Sequence, residues 1–176
     1  MAGICVFCGA ARGADPAFAD RAAELGRAIA ADGHQLVFGG GRVGLMGVVA
    51  DSVLGAGGAA IGVIPRQLVD RELAHSGLTE LHVVETMHER KALMAEKADA
   101  FVALPGGFGT LDELVEIITW RQLELHSKPI ALLDASAFWE PFTALVEHLR
   151  AAGFLRVDPG QILRDDDAAR LLRRVA

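Results

Sequence analysis

The chain has 176 residues, 52% of them hydrophobic and 23% charged, which is enough apolar side chain to bury a core and too few charges for a disordered segment. Seventeen Lys and Arg against 23 Asp and Glu give a net charge of −6, so a surface that wraps nucleic acid is disfavoured. Two cysteines cannot build a disulfide framework and no apolar stretch is long enough to span a membrane, so the sequence predicts one soluble cytoplasmic domain over residues 1–176, without a nucleic-acid or membrane partner.

In chain order, short apolar runs alternate with stretches whose apolar residues recur every 3.6 positions. The runs Ile4–Cys8, Gln35–Phe38, Ala60–Ile64, Leu81–Val84, Ala100–Leu104 and Ile130–Leu133 predict strands. Asp15-Pro16 caps and opens a first helix with Ala19, Ala22, Ala23, Leu25, Gly26 and Ile29 inside and Gly33 at its end. Further helices are predicted over 44–54, 87–97, 111–125 and 139–152, and an amphipathic stretch from 166 to 175 closes the chain. Right-handed crossovers turn this alternation into an α/β fold, a doubly wound (Rossmann-like), mostly parallel sheet with helices on both faces. The 111–125 helix has two apolar stripes, Leu111, Leu114, Val115 and Ile118, and then Ile117 and Trp120; such a helix is buried on both sides or forms a subunit contact.

Two glycine-rich loops follow predicted strands and open predicted helices. Gly39-Gly40-Gly41-Arg42-Val43-Gly44 satisfies G-x-G-x-x-G, but the next strand, 59–65, ends without the acid that a dinucleotide site places on the ribose, and no Gly-Lys-Ser/Thr makes it a P-loop. The loop is therefore either an anion site at a helix N-terminus or a tight turn that lets the helix pack closely. Pro105-Gly106-Gly107-Phe108-Gly109-Thr110 is the second loop. Its three glycines allow backbone N–H groups to crowd a phosphate. Both loops are predicted at the carboxyl ends of strands, where open α/β sheets bind ligands, and a phosphorylated small molecule bridging them is the economical expectation.

Thr110-Leu111-Asp112-Glu113 reads as a capping box, as does Thr86-Met87-His88-Glu89 before Arg90-Lys91. A capping carboxylate beside a phosphate loop is repelled, which favours a role for Glu113 toward a sugar instead. Arg90 and Lys91 lie in the first turn of their helix, where cations oppose the macrodipole; they are solvated surface charges or they await an anion. Cys5 and Cys8, three apart on a strand, point to opposite faces and read as buried thiols, with Cys8-Gly9 placed to line the ligand crevice. No histidine spacing suits a metal and no G-x-S-x-G is present, so neither a metal nor another cofactor is expected.

Taken together, these residues resemble a known family. Pro105 through Glu113 resembles the P-G-G-x-G-T-x-x-E motif of the Lonely Guy phosphoribohydrolases, and Met87-His88-Glu89-Arg90-Lys91 resembles that family's second signature. Cys8-Gly9, Gly39 to Gly41, Gly44-Leu45-Met46-Gly47, Thr119-Trp120, Gln122-Leu123 and Lys128-Pro129 extend the likeness from Ile4 to about Leu155. The resemblance implies hydrolysis of the N-glycosidic bond of N6-substituted adenosine 5′-monophosphates, and of AMP in some members, to free base and ribose 5-phosphate. It implies Arg90 and Glu113 as the catalytic pair. As substrate-binding residues it implies Cys8, Gly9, Gly40, Gly41, Gly44, Met46, Glu72, Met87, Lys91, Gly106, Gly107, Phe108, Gly109, Thr110, Leu111, Asp112 and Thr119. Asp112 departs from the Glu that many members carry, and the match at Glu72 is looser because loop length varies there. A homodimer with its site near the subunit interface is also implied, which suits the doubly apolar helix. Members of this family are often labelled lysine decarboxylases, but nothing here resembles a pyridoxal phosphate lysine site. The competing expectation is a nucleotide- or cofactor-carrying module of the same fold, which would bind the ligand without needing Arg90 and Glu113.

Overall fold

The computed structural model describes residues 1–69, 73–155 and 162–176. Seven parallel strands form one sheet in the order β4-β3-β2-β1-β5-β6-β7. They are β1 Gly3–Phe7, β2 Gln35–Phe38, β3 Ala59–Pro65, β4 Glu80–Val84, β5 Ala100–Ala103, β6 Ile130–Leu133 and β7 Ile162–Asp165. Six helices alternate with them: α1 Pro16–Ala31, α2 Gly44–Gly55, α3 Met87–Lys97, α4 Phe108–Gln122, α5 Glu140–Ala151 and α6 Ala168–Val175. Every residue of β1 is buried, because it pairs with β2 on one side (Ile4 opposite Leu36) and with β5 on the other (Ile4 opposite Ala100).

The sheet separates two cores. One holds Ile4, Val6 and Cys8 against α1, α2 and α6; the other holds Cys5 and Phe7 against α3 and α4 and against Trp139, the residue that precedes α5. Cys5 and Cys8 thus face opposite sides, as alternation along an extended strand requires. The strand order reverses between β1 and β5, where the chain winds first one way and then the other, leaving a crevice beyond their carboxyl ends. The helix contacts follow from small residues. A Cβ on Gly26 would lie 2.6 Å from the Val49 carbonyl, so α1 and α2 touch backbone to backbone there.

Three features differ from the sequence reading. β7 is the strand that patterning missed, since Ile162-Leu163-Arg164-Asp165 has only two apolar residues. Its charged half is stabilised by ion pairs: Arg164 with the buried Asp134, and Asp165 with Arg170 and Arg174. Secondly, α4 begins at Phe108 rather than at Leu111, with Gly107 as its N-cap and no side-chain cap bond. The Thr110–Glu113 capping box is therefore not formed; Thr110 lies in the first turn, buried, and Glu113 in the second. The box at Thr86 does form, with Thr86 Oγ1 accepting from Glu89 N at 3.1 Å, although Glu89 reaches back to Glu85 N rather than to the cap itself. Thirdly, burial within the chain covers the two apolar stripes of α4 unevenly. Leu114 and Ile117 are buried and Leu111, Ile118 and Trp120 are partly covered, but Val115 is exposed.

The carboxyl end of α4 is fastened to the start of β6 by His126, whose ring packs on Phe101 at 5.4 Å. Its Nε2 donates to the Ile117 carbonyl at 3.0 Å and its Nδ1 accepts from Lys128 N at 3.1 Å, an arrangement that fits the neutral ring. Burial holds this histidine below its ordinary pKa, against the favourable Ile117 bond. The unfolded chain then takes up the proton first as pH falls, so stability present above about pH 6.5 is lost below it. The thermal midpoint should decline from pH 7.5 toward pH 5.5 more steeply in the wild type than in His126→Phe. Parallel slopes in a calorimetric pH series would refute the assignment.

Candidate active site

A cavity of about 610 Å³ opens at the β1/β5 switch point, a volume suited to a nucleotide-sized ligand. Three chain segments converge on it. Gly9 N donates to the Pro105 carbonyl at 3.1 Å and the Gly9 carbonyl accepts from Leu45 N at 2.9 Å, so the turn after β1 is clasped between the loop before α4 and the first turn of α2.

Arg90 is the organising side chain. Its position in the fourth residue of α3 turns it inward, where it is only 5% exposed. Nε donates to the Val63 carbonyl at 3.1 Å and Nη2 to the Gly39 carbonyl at 2.8 Å, the carbonyls lying in β3 and just beyond β2. Gly39 makes this possible: a Cβ there would sit 2.0 Å from Nη2. Arg90 is thus neither a solvated surface charge nor a bare cation in the helix dipole.

Glu113, in the second turn of α4, lines the same cavity, partly buried. Both groups act on the fully buried Cys5 thiol beneath them. Burial first, and then the Glu113 charge, push that thiol well above its ordinary pKa, while Lys128 and Arg90 oppose the shift. Cys5 is accordingly a neutral core thiol. The neighbouring acid, Asp112, also at the cavity, pairs with Lys91 Nζ at 3.1 Å, and Lys91 also meets Glu116 at 3.0 Å. These partners raise the Lys91 pKa over the opposing effect of burial. Lys91 ties α3 to α4, so the helices carrying Arg90 and Glu113 are held in register.

The floor is the N-terminus of α4. The first N–H groups of a helix have no intrahelical acceptor. Hypothetical Cβ atoms on Gly107 and Gly109 would meet nothing within 4 Å, so open space lies beside this backbone. Gly106 does the opposite: a Cβ would fall 2.0 Å from Thr110 Oγ1, so its glycine permits the close turn.

Of the residues singled out from the sequence, Cys8, Gly9, Met46, Met87, Arg90 and Glu113 line this cavity, with Gly106, Gly107, Gly109, Thr110 and Asp112. Gly40, Gly41, Gly44, Lys91, Phe108, Leu111 and Thr119 do not. The first glycine loop is occupied by packing. Arg42 N donates to Leu73 O, His75 N to Gly40 O, and a Cβ on Gly44 would lie 2.2 Å from the Ala10 carbonyl carbon. Phe108 is 92% exposed, and Thr119 donates to the Val115 carbonyl on the outer side of α4. Glu72 lies outside the described residues. The structure adds Gly39, Leu45, Leu68, Arg12, Phe18 and Phe138 to the lining. Gly39, as first residue of a glycine run, and Leu45, within Gly44-Leu45-Met46-Gly47, had a visible signal; the two phenylalanines meet edge to face at 5.7 Å although 120 positions separate them.

Comparison with known proteins places the chain in a family. The family profile described as "Possible lysine decarboxylase" matches residues 46–174. A probable cytokinin riboside 5′-monophosphate phosphoribohydrolase of Oryza sativa subsp. japonica is 46% identical over 171 residues, covering 97% of this chain and 77% of that protein. The cytokinin riboside 5′-monophosphate phosphoribohydrolase of Rhodococcoides fascians is 50% identical over 153 residues, covering 86% and 77%. The chain belongs to the cytokinin riboside 5′-monophosphate phosphoribohydrolase family. The phosphoribohydrolase chain also superimposes on the molybdenum cofactor carrier protein of Chlamydomonas reinhardtii with a TM-score of 0.74 at 22% identity, covering 98% of this chain and 94% of that one, a likeness of fold. The decarboxylase description of the profile finds no counterpart in the lining, where no lysine stands to form a Schiff base.

In this phosphoribohydrolase chain Gly39→Ala should displace the Arg90 guanidinium and lower turnover on the order of a hundredfold, the scale of a misplacement of about 1 Å. Loss of kcat with an intact fold by circular dichroism is expected; wild-type kcat would contradict the role of Gly39.

Proposed function

We propose that this chain hydrolyses the N-glycosidic bond of adenosine 5′-monophosphates, N6-substituted ones foremost and AMP among them, releasing free base and ribose 5-phosphate. The observation that carries the reading is the placement of the buried Arg90 and of Glu113 over a cavity floored by a helix N-terminus. The names of the phosphoribohydrolase relatives support the same reaction.

The 5′-phosphate sits on the backbone N–H groups of Gly107, Phe108 and Gly109, where the helix dipole favours an anion. The C1′–N bond breaks with its electron pair going to the base, leaving an oxocarbenium-like ribosyl cation, as in other glycoside hydrolysis. Glu113 stabilises that cation and takes the proton of the attacking water, whose oxygen bonds C1′; that proton passes on to the departing base, which leaves as the neutral purine, and Glu113 returns to its carboxylate form. Arg90, fixed by two carbonyls, holds the nucleotide and assists departure of the base. Positioning and preorganised charge supply the rate.

The protein acts as a homodimer through the outer side of α4, a reading supported by the exposed Phe108, Val115, Leu123 and Leu125 along and just beyond that helix. The absence of a membrane-length apolar helix among the described residues, together with two separate buried thiols, supports a cytoplasmic setting.

Glu113→Gln should keep AMP affinity and lose on the order of 10²–10³-fold in kcat. The cheap assay is chromatography of AMP incubated with pure protein. Release of adenine supports hydrolysis, and binding without release would make the chain a carrier. Charge-assisted bonds are about twice as strong as neutral ones, so adenosine should lose roughly 3–5 kcal/mol, a factor of a hundred to several thousand in kcat/KM, against AMP. Gly107→Val, its side chain projecting into open space, should remove that preference and most activity. Equal kcat/KM for adenosine and AMP would sink the phosphate cradle.

A further inference from the structure

The cavity lining carries two guanidinium groups, Arg12 and Arg90, and two carboxylates, Asp112 and Glu113. Arg90 directs Nε and Nη2 at backbone carbonyls of the sheet, and Asp112 is engaged by Lys91. Among the described residues Arg12 makes no hydrogen bond or ion pair, and its side chain stands exposed at the cavity mouth.

The backbone beneath Arg12 is not loose. The turn is bonded through Gly9 to Pro105 and to Leu45, and Ala10 packs against Gly44 too closely for any Cβ there. After Arg12 the chain turns at Gly13 (φ +77°), where a Cβ would lie 2.5 Å from the Phe18 ring. Phe18 in turn braces Phe138 across the cavity wall. A long, unpaired cation is therefore carried on a fixed turn, beside the loop that presents the α4 N-terminus.

The charge balance asks for it. A phosphate monoester carries about −1.5 to −2 near pH 7, whereas a helix N-terminus offers only about +0.5. Glu113 adds a negative charge to the same cavity and Arg90 a positive one, so these two offset each other and the phosphate is left to the helix. Resting on the monophosphate reading above, we propose that Arg12 is a specificity-determining ligand of the 5′-phosphate: its guanidinium folds over the phosphate seated on residues 107–109 and completes the charge that the helix leaves unbalanced. A planar guanidinium can make two parallel bonds to phosphate oxygens.

The test is calorimetric titration of ribose 5-phosphate, AMP and adenosine into the wild type, Arg12→Ala and Arg12→Lys. Arg12→Ala should weaken ribose 5-phosphate and AMP by about tenfold to a hundredfold, the range of charged hydrogen bonds. It should narrow the AMP-to-adenosine affinity ratio by the same factor and flatten the salt dependence of AMP binding. Arg12→Lys should recover part of the loss, since it restores charge without the fork. In the hydrolysis assay the deficit should fall on KM rather than kcat. Unchanged ribose 5-phosphate affinity in Arg12→Ala, or an equal loss for adenosine, overturns the proposal while leaving the reaction standing. A wild type that binds ribose 5-phosphate through Arg12 but frees no base from any nucleotide overturns the reaction and keeps the phosphate ligand.

Discussion

A guanidinium taken out of water is costly by several kcal/mol, so its surroundings must supply hydrogen bonds in return. The Arg90 site meets that demand with carbonyls from two adjacent strands, Val63 in β3 and Gly39 at the end of β2. Much else follows from this constraint. Residue 39 must lack a side chain, α3 must lie close over the sheet, and its fourth residue must face inward. The same requirement brings Arg90 to the cavity from the face opposite to α1 and α2, and Glu113 of α4 lines the same cavity.

The two glycine loops look alike and act differently. In residues 39–44 the missing side chains make room for protein: for Arg90 at Gly39 and for the turn after β1 at Gly44. In residues 106–109 Gly106 makes room for Thr110, whereas Gly107 and Gly109 border open space. Packing glycines and glycines that border open space are the same letter, and only the atoms within 4 Å of a hypothetical Cβ distinguish them. The bonds that keep α3 and α4 aligned are similarly shared out. Lys91 joins α3 to Asp112 and Glu116 of α4, Lys128 Nζ donates to the Ala95 carbonyl of α3 at 2.8 Å, and His126 holds the end of α4. Lys91, by sequence either a solvated surface charge or a cation awaiting an anion, thus serves as a strut between helices.

The order of strands and helices could be read from the chain because alternation of buried runs with 3.6-residue periodicity is a local property, and the parallel sheet with helices on both faces followed from it. The family resemblance could be read as well, since its motifs are contiguous. Local rules failed where a tertiary partner outweighed them. β7 has too few apolar residues to announce a strand, yet Asp134, Arg170 and Arg174 satisfy its charges. The Thr110–Glu113 box has the right spacing, yet the helix starts three residues earlier, at Phe108, because Gly106 and Gly107 let the chain turn in that early.

Arg12, Phe18 and Phe138 carry no motif, and their relation exists only once β1 and β6 lie in one sheet with α1 across the top. Composition, periodicity and contiguous motifs fixed the class of fold, the chemistry of the loops and the identity of Arg90 and Glu113 as candidates. Which glycines border open space, which cations are already paired and what walls the cavity depend on contacts between residues far apart in the chain. Those contacts are made by packing and hydrogen bonding across the sheet, so they were decided by the tertiary structure alone.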